Sequence, residues 1–159
     1  MLMFLILFSC NKSNLFFYEK NMQTYQYLID EINNYYKNPG DQTLNIDKYF
    51  TSDCRLHYFP VGSPKGISLD LNDYKKNILV FLKKNGVSLN VGHSIYLPGI
   101  DENTYKIDGS VRVYYKITLT NDHDIELSAY RTINFTDGKI SAIWEWADYG
   151  GAIKQLYEK

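Results

Sequence analysis

Little in this 159-residue chain is suited to metal, cofactor or disulfide chemistry. It has two cysteines, Cys10 and Cys54, and three histidines, His57, His93 and His123, far apart in sequence. Histidines without paired spacing carry no metal signature. There is no glycine-rich phosphate loop and no nucleophile–base motif, so no cofactor is implied. An excess of either charge is missing too. The formal net charge is −1, and Lys75-Lys76 and Lys83-Lys84 fall on a predicted helix as a solvated face. Nucleic-acid binding needs a concentrated basic footprint, and that partner class is not expected. The apolar run at the start, Met1–Phe8, falls far short of the roughly 20 residues that a bilayer-spanning helix needs.

What is present is a folding composition. With 45% hydrophobic and 22% charged residues, the chain reads as one ordinary domain with one core. Fifteen tyrosines and eight phenylalanines suit a lined cavity or a half-exposed sheet, although packing is the default reading for any single ring. The initial apolar run reads as a signal-peptide core. Leu7-Phe8-Ser9-Cys10 resembles the bacterial lipobox, in which the cysteine is diacylated and becomes the mature N-terminus. No Lys or Arg precedes the run, a departure from that pattern. The competing reading is a buried strand or a tail. The expected organisation is a signal segment over 1–9, a tether over 10–16 and one domain over 17–159, anchored in a bacterial envelope membrane through Cys10. Cys54 would then be the sole thiol, a small buried hydrophobe with no disulfide partner.

Along the chain, Tyr18, Met22, Tyr25, Ile29, Ile32 and Tyr36 step by three and four, the mark of a one-sided helix stopped at Asn38-Pro39-Gly40. Ile46, Tyr49 and Phe50 suggest a short second helix, residues 55–59 a strand and 60–66 a loop. Leu71, Tyr74, Ile78, Phe81 and Leu82 give a third helix, capped by Asp70 or Asn72 and left at Asn85-Gly86. Four alternating segments follow, with Gly109 as a bulge in the second. Helices followed by an antiparallel meander give an α+β order, with the early strand completing the sheet.

Asp137-Gly138 is a two-residue hairpin turn and sets a register. Unbroken pairing puts Phe135 opposite Ile140, Ile133 opposite Ala142, Arg131 opposite Trp144 and Ala129 opposite Trp146. One face then carries Ala129, Arg131, Ile133, Phe135, Ile140, Ala142, Trp144, Trp146 and Asp148, while Glu145 faces the other way. This is the pattern of a Trp-rich pocket wall with one arginine and a terminal carboxylate.

The element order, Gly138-Lys-Ile140, the aromatics at 144 and 146, Asp148 and the closing 153–156 segment together resemble the nuclear-transport-factor-2-like superfamily, and within it SnoaL-like proteins. The resemblance covers about residues 18–157. It implies a cone in which a curved antiparallel sheet wraps three helices around a pocket. Members include polyketide cyclases, ketosteroid isomerase, scytalone dehydratase and proteins that only bind, so fold does not give function.

The residues that could carry chemistry are few. Asp148 could be a general base raised by the indole rings, the role that the resemblance implies, or the N-cap of a final helix, where its pKa would fall. Arg131 could stack on Trp144, pair with Asp30 or Glu31, or bind an acidic ligand group. His57 is a candidate catalytic helper on a strand whose inward set is either Leu56 and Tyr58 or Arg55, His57 and Phe59. His93, on its strand's apolar face, reads first as a satisfied core histidine, and His123 lies in a turn. Trp144, Trp146, Tyr58, His93 and Tyr115 are the candidate ligand-binding set. The expected function is binding of a small apolar or aromatic ligand. The alternative is a cofactor-independent isomerase, cyclase or dehydratase working through Asp148. The outer sheet face is a candidate homodimer surface.

Overall fold

The computed structural model describes residues 4–38, 40, 43–60 and 62–157. Side chains of residues 1–13, Cys10 among them, lie outside what is described. Helix α1 runs Phe4–Lys37. It buries Tyr18, Tyr25, Leu28, Ile29, Ile32, Tyr35 and Tyr36, as the three-and-four spacing predicts. Among the described residues, no helix is long and apolar enough to cross a membrane.

The short second helix is only a 3-10 turn, Asp47–Tyr49, because Phe50 already starts strand β1, Phe50–Pro60. The loop after Pro60 gives way to a short edge strand β2, Ile67–Asp70, which the sequence pattern did not predict. Asp70 then caps the next helix, accepting the Asp73 N–H at 2.8 Å. That helix is built from α2 (Leu71–Tyr74), a π-helical stretch Lys75–Val80 and α3 (Phe81–Lys84). The Tyr36 hydroxyl donates to the Leu79 carbonyl at 2.7 Å, inside the π stretch. Gly86, at φ 74°, ends the segment as expected.

Strands β3 (Ser88–Ile100), β4 (Ile107–Thr120), β5 (Asp124–Thr136) and β6 (Lys139–Ala147) follow, then α4 (Tyr149–Tyr157). They form one six-stranded sheet in the order β2-β1-β6-β5-β4-β3. The pairings are antiparallel except β1 with β6, which is parallel. Thus the early strand does complete the sheet, on the far side of the last one. The α+β architecture with a curved sheet and helices on its inner side is as the sequence predicts. Helix α1 lies across that inner face: the Asn33 side-chain amide exchanges two hydrogen bonds with the Val91 backbone, at 2.9 and 2.8 Å. At the other end of the contact, Asn21 donates to the Gly109 carbonyl at 2.8 Å. Gly109, at φ 82°, sits in the expected bulge, where pairing with β3 shifts between Pro98 and Ile100.

One bulge decides which residues face inward. Phe135 opposes Ile140 as predicted, but the next pair is Asn134 with Ala142, so Ser141 is an extra residue on β6. Beyond it the register is shifted by one: Thr132 opposes Trp144, Arg131 opposes Glu145 and Tyr130 opposes Trp146. A one-residue slip sends every following side chain to the opposite face. Strand β1, on the other edge of β6, breaks its own register at the same level, between Phe50 and Arg55. Paired irregularities of this kind bend a sheet.

Candidate functional site

The bulge corrects the predicted pocket wall. Trp144 and Trp146 stand on the outer face, and Trp146 is 42% exposed. Glu145, placed outward by the unbroken register, is instead fully buried at 0% exposure. On the inner face, Tyr58, Glu145, Arg131, Val113 and Tyr96 form one row across five strands. Arg131 does point inward as predicted, but it pairs with neither Asp30 nor Glu31. Its Nε makes an ion pair with Glu145 Oε2, while Glu31 pairs with Lys48 at 2.5 Å. Arg131 Nη1 also donates to the Tyr25 hydroxyl at 2.9 Å, and the guanidinium lies 4.9 Å over the Tyr115 ring rather than over Trp144. The Tyr115 hydroxyl donates to the same Glu145 oxygen.

These partners explain why a buried charge pair is tolerated. An ion pair out of water is stable only when hydrogen bonds satisfy its remaining atoms. Burial pushes the Tyr25, Tyr58 and Tyr115 hydroxyls above the ordinary phenol range, Tyr58 and Tyr115 well above it. They stay neutral, so that the Tyr115 hydroxyl can donate to Glu145 while the Tyr25 hydroxyl accepts from Arg131. Burial works against the Arg131 charge, yet the surrounding phenol oxygens, Tyr115 first, outweigh it and hold the guanidinium protonated. Two atoms of the row are left over. Glu145 Oε1 and the Tyr58 hydroxyl are buried with no hydrogen-bond partner among the described residues. The Tyr58 ring is held between Tyr74 and Tyr149, at 6.2 and 6.0 Å. A buried polar atom without a partner costs about 1–3 kcal/mol, so two side by side in one row mark a place built to meet another polar group.

The other candidates are dispersed. Tyr58 and Tyr115, from the ligand-binding set, are in the row. His57 belongs to the outer set of β1, stacked on Trp144 at 5.3 Å, because Cys54, Leu56 and Tyr58 take the inner positions. His93 is exposed, since the register of β3 breaks between Val91 and Ser94 and turns it out of the apolar face. Asp148 is exposed and its Oδ1 accepts the Gly151 N–H at 2.9 Å, capping α4. The cap geometry is present, and the carboxylate lines neither of the two surface clefts along α1. Cys54 is buried, and burial, with Asp53 nearby, pushes its thiol up to about 12. Among the described residues no cluster of ligands could hold a metal.

Among the described residues, two surface clefts stand near these elements. One of about 730 Å³ lies between the start of α1 and the β5–β6 turn, with Phe17, Lys20, Asp108, Asn134 and Asp137 in its walls. The other, about 440 Å³, lies between α1 and β3 and includes Gln26, Asp30, Asn33 and Tyr96. Tyr96 meets the Tyr25 ring edge-on at 6.3 Å, so this cleft is one residue away from the group that holds Arg131.

The arrangement of strands and helices is found in solved structures. The fold is that of the nuclear-transport-factor-2-like proteins. A nuclear-transport-factor-2-like protein from Burkholderia xenovorans matches with a TM-score of 0.59 and 12% identity over 88% of this chain and 97% of that one. A phenazine biosynthesis-related protein from Pseudomonas aeruginosa matches at 0.63 and 12% identity, covering 93% and 92%. An epoxide hydrolase from M. tuberculosis, of the LEH-like type, matches at 0.57 and 15% identity, covering 87% and 90%. No family model and no curated protein sequence matches the chain.

Proposed function

We propose that the protein binds a small neutral molecule at the Tyr58–Glu145–Arg131 row, is held at a bacterial envelope membrane through Cys10, and pairs with a second copy across its outer sheet face. The observation that carries the ligand reading is the pair of unpartnered buried atoms, Glu145 Oε1 and the Tyr58 hydroxyl. One is an acceptor and the other can donate, so the complement is a hydroxyl or amide on an apolar or aromatic body that fits among tyrosine rings. The charge of Arg131 is already answered by Glu145, which favours a neutral ligand over an acidic one. Solved proteins of this fold include a hydrolase and a biosynthetic protein, in keeping with a small-molecule site.

Catalysis through Asp148 has less support. Its carboxylate is exposed and accepts a hydrogen bond from the N-terminus of α4. Glu145 is already engaged, because Arg131 and Tyr115 both bind its Oε2. The dimer reading rests on the aromatic rings of the outer face, which are contiguous across β1, β6, β5 and β4. The anchor rests on Leu7-Phe8-Ser9-Cys10. Loss of palmitate labelling in Cys10→Ala checks it.

Tyr58→Phe tests the ligand site. Removing a hydroxyl that has no partner should leave stability unchanged or slightly raised. Affinity for neutral hydroxylated aromatics such as benzyl alcohol and 2-naphthol, measured by calorimetry, should fall by about 0.5–1.5 kcal/mol. A destabilised variant with unaltered binding would make the hydroxyl a structural group and remove the site.

A further inference from the structure

We infer that one end of the molecule, formed by Leu15–Phe17 of α1 and the β3–β4 hairpin, is a docking face that rests on the lipid bilayer. The inference takes from the preceding section the acylation of Cys10, which selects the bilayer as the occupant. The geometry of the end stands on its own. Asn33 bonds Val91, and Tyr25 meets Tyr96, so α1 and β3 run antiparallel. Following β3 forward to Ile100 therefore means following α1 back toward residue 16. Asn21 bonds Gly109, and a methyl placed on Gly109 would lie 3.6 Å from Phe17 Cβ. The hairpin tip and the start of the described α1 side chains thus share one end.

That end exposes Leu15, Phe16, Phe17, Ile100 and Tyr105. Phe16 and Phe17 meet edge-on at 6.0 Å and both are more than half exposed. Tyr105 is 83% exposed, and its backbone is left-handed at φ 54°. An aromatic residue at positive φ is strained, and here no burial of the ring offsets the strain. The turn is nonetheless firmly made. Asp101 accepts from the Thr104 N–H at 2.7 Å, the Thr104 hydroxyl at 2.8 Å and the Asn103 N–H at 3.2 Å. Its backbone closes the tip through Tyr105 and Lys106, both at 2.9 Å. A fixed turn that holds a tyrosine outward at a backbone cost is a device for touching something outside the molecule.

The position and chemistry fit a membrane interface. Five residues separate Cys10 from Phe16, and the helical steps between them rise by about 9 Å, which keeps the rings within reach of the headgroup layer. Tyrosine is favoured at that level, and an acyl chain gains from a second, protein-borne contact. Lys12, Lys20 and Lys106 are offset by Glu19, Asp101, Glu102 and Asp108 in the same segments. The contact is therefore apolar burial rather than attraction to anionic lipid. In this pose the outer sheet face is left free for a second copy. The cleft between α1 and the β5–β6 turn lies at the membrane end.

The test uses the full chain, expressed in a bacterial host and reconstituted in phosphatidylcholine–phosphatidylglycerol vesicles carrying spin-labelled lipid. A polarity-sensitive dye is attached at Tyr105→Cys or, at the opposite end near Tyr35, at Lys84→Cys. The buried Cys54 thiol, pushed up to about 12, stays unlabelled. Mass spectrometry reads the state of Cys10 in each sample. The expected result is a blue shift and lipid quenching at 105, neither at 84, and loss of the quenching in Phe16→Ser/Phe17→Ser. Quenching at 105 in a Cys10→Ala chain, which has neither an acyl chain nor a second thiol for the dye, supports the docking face independently of the anchor. An acylated chain with no quenching at 105 overturns the docking face and leaves the anchor standing. A blue shift at 105 without lipid quenching means that another protein copy covers this end, and also overturns it.

Discussion

The two faces of the sheet are written on the same strands, one residue out of step, and they solve opposite problems. Inside, Tyr58, Glu145, Arg131, Val113 and Tyr96 put one ion pair in a row of which only Tyr96 is partly exposed. Outside, Phe59, Trp146, Tyr130, Tyr114 and Ile95 make the neighbouring row. Its rings lie 5.0, 5.7 and 4.6 Å apart in sequence across the sheet. The polar row is buried except at Tyr96, where the cleft between α1 and β3 reaches it, and the aromatic row is left half open. Bulk hydrophobicity alone would assign them the other way round. An arginine fixed inward by β5 needs an acid more than the core needs indole, because an unpaired buried charge costs more than exposed apolar area. Glu145 is the acid that one extra residue delivers.

The most drastic way to break the contrast is to insert one alanine between Ala142 and Ile143. Paired without a further break, β6 from Ile143 onward then turns over, Trp144 comes opposite Arg131, Glu145 faces solvent, and both tryptophans enter a space filled by smaller groups. Arg131 would be buried alone. The expected outcome is loss of cooperative folding, read as a missing thermal transition in circular dichroism. Deletion of Ser141, the unpaired residue, should by contrast keep Arg131 opposite Glu145 and leave a folded protein. A folded insertion variant with quenched, buried tryptophan emission would mean that the inner face accepts either register.

Next in size is the pair itself. Arg131→Met strands Glu145 and should cost about 3–5 kcal/mol in urea unfolding, whereas Arg131→Met/Glu145→Met should recover most of that loss. A single variant as stable as the parent would show that the carboxylate does not depend on the cation. The tyrosines around the pair predict an alkaline limit. Their folded-state pKa values are raised above the unfolded value of 10.0, mainly by burial. Stability from this source is fully present below that pH and falls as pH rises toward the folded values. The expected signature is phenolate absorbance from the buried set appearing together with unfolding, not before it.

How much of this was legible in the sequence follows from what is local. The periodicity of α1, the Asp70 cap, the Gly86 exit and the Asp137-Gly138 turn each need only a few neighbouring residues, and all were readable. So was the inward placement of Arg131. The bulge was not, because Ser141 has no turn chemistry of its own. Its position is set by a contest between registers that only the assembled sheet decides. One available signal was the chemistry of the alternatives: a one-residue shift exchanges an Arg–Trp pair for an Arg–Glu pair. The same blindness applied to His93, which another register break turns outward, and to β2, four residues whose strand character comes from pairing with β1.

The outer face should respond more mildly to truncation. Trp144→Ala and Trp146→Ala each remove half-exposed rings from cross-strand stacks, so each should cost about 1 kcal/mol rather than the 3–5 expected of a buried tryptophan. Their larger effect should be on assembly. Trp146→Glu is expected to leave the monomer folded and to shift sedimentation from dimer to monomer. If the protein sediments as a monomer throughout, the ladder has another use and the dimer proposal fails.

The smallest expected effect belongs to Asp148, which lies past both rows, where β6 hands over to α4. Its carboxylate accepts the Gly151 N–H, and the Asp148 carbonyl accepts the Ala152 N–H at 3.2 Å. A Cβ on Gly151 would meet Asp148 Oδ2 at 2.5 Å, so the glycine leaves room for the cap. Asp148→Ala should therefore cost about 1 kcal/mol, the usual loss for an N-cap, and Asp148→Asn should recover most of it, because an amide oxygen caps as well. Ligand affinity at the Tyr58–Glu145 row should be untouched by either change. A base behaves differently: Asn cannot take a proton, so Asp148→Asn would be as damaging as Asp148→Ala to any turnover while preserving the helix. Equal stability in Asp148→Asn and the parent, with calorimetric binding unchanged in both variants, would fix Asp148 as structure. Binding lost in Asp148→Asn at full stability would return it to the site and require α4 to move.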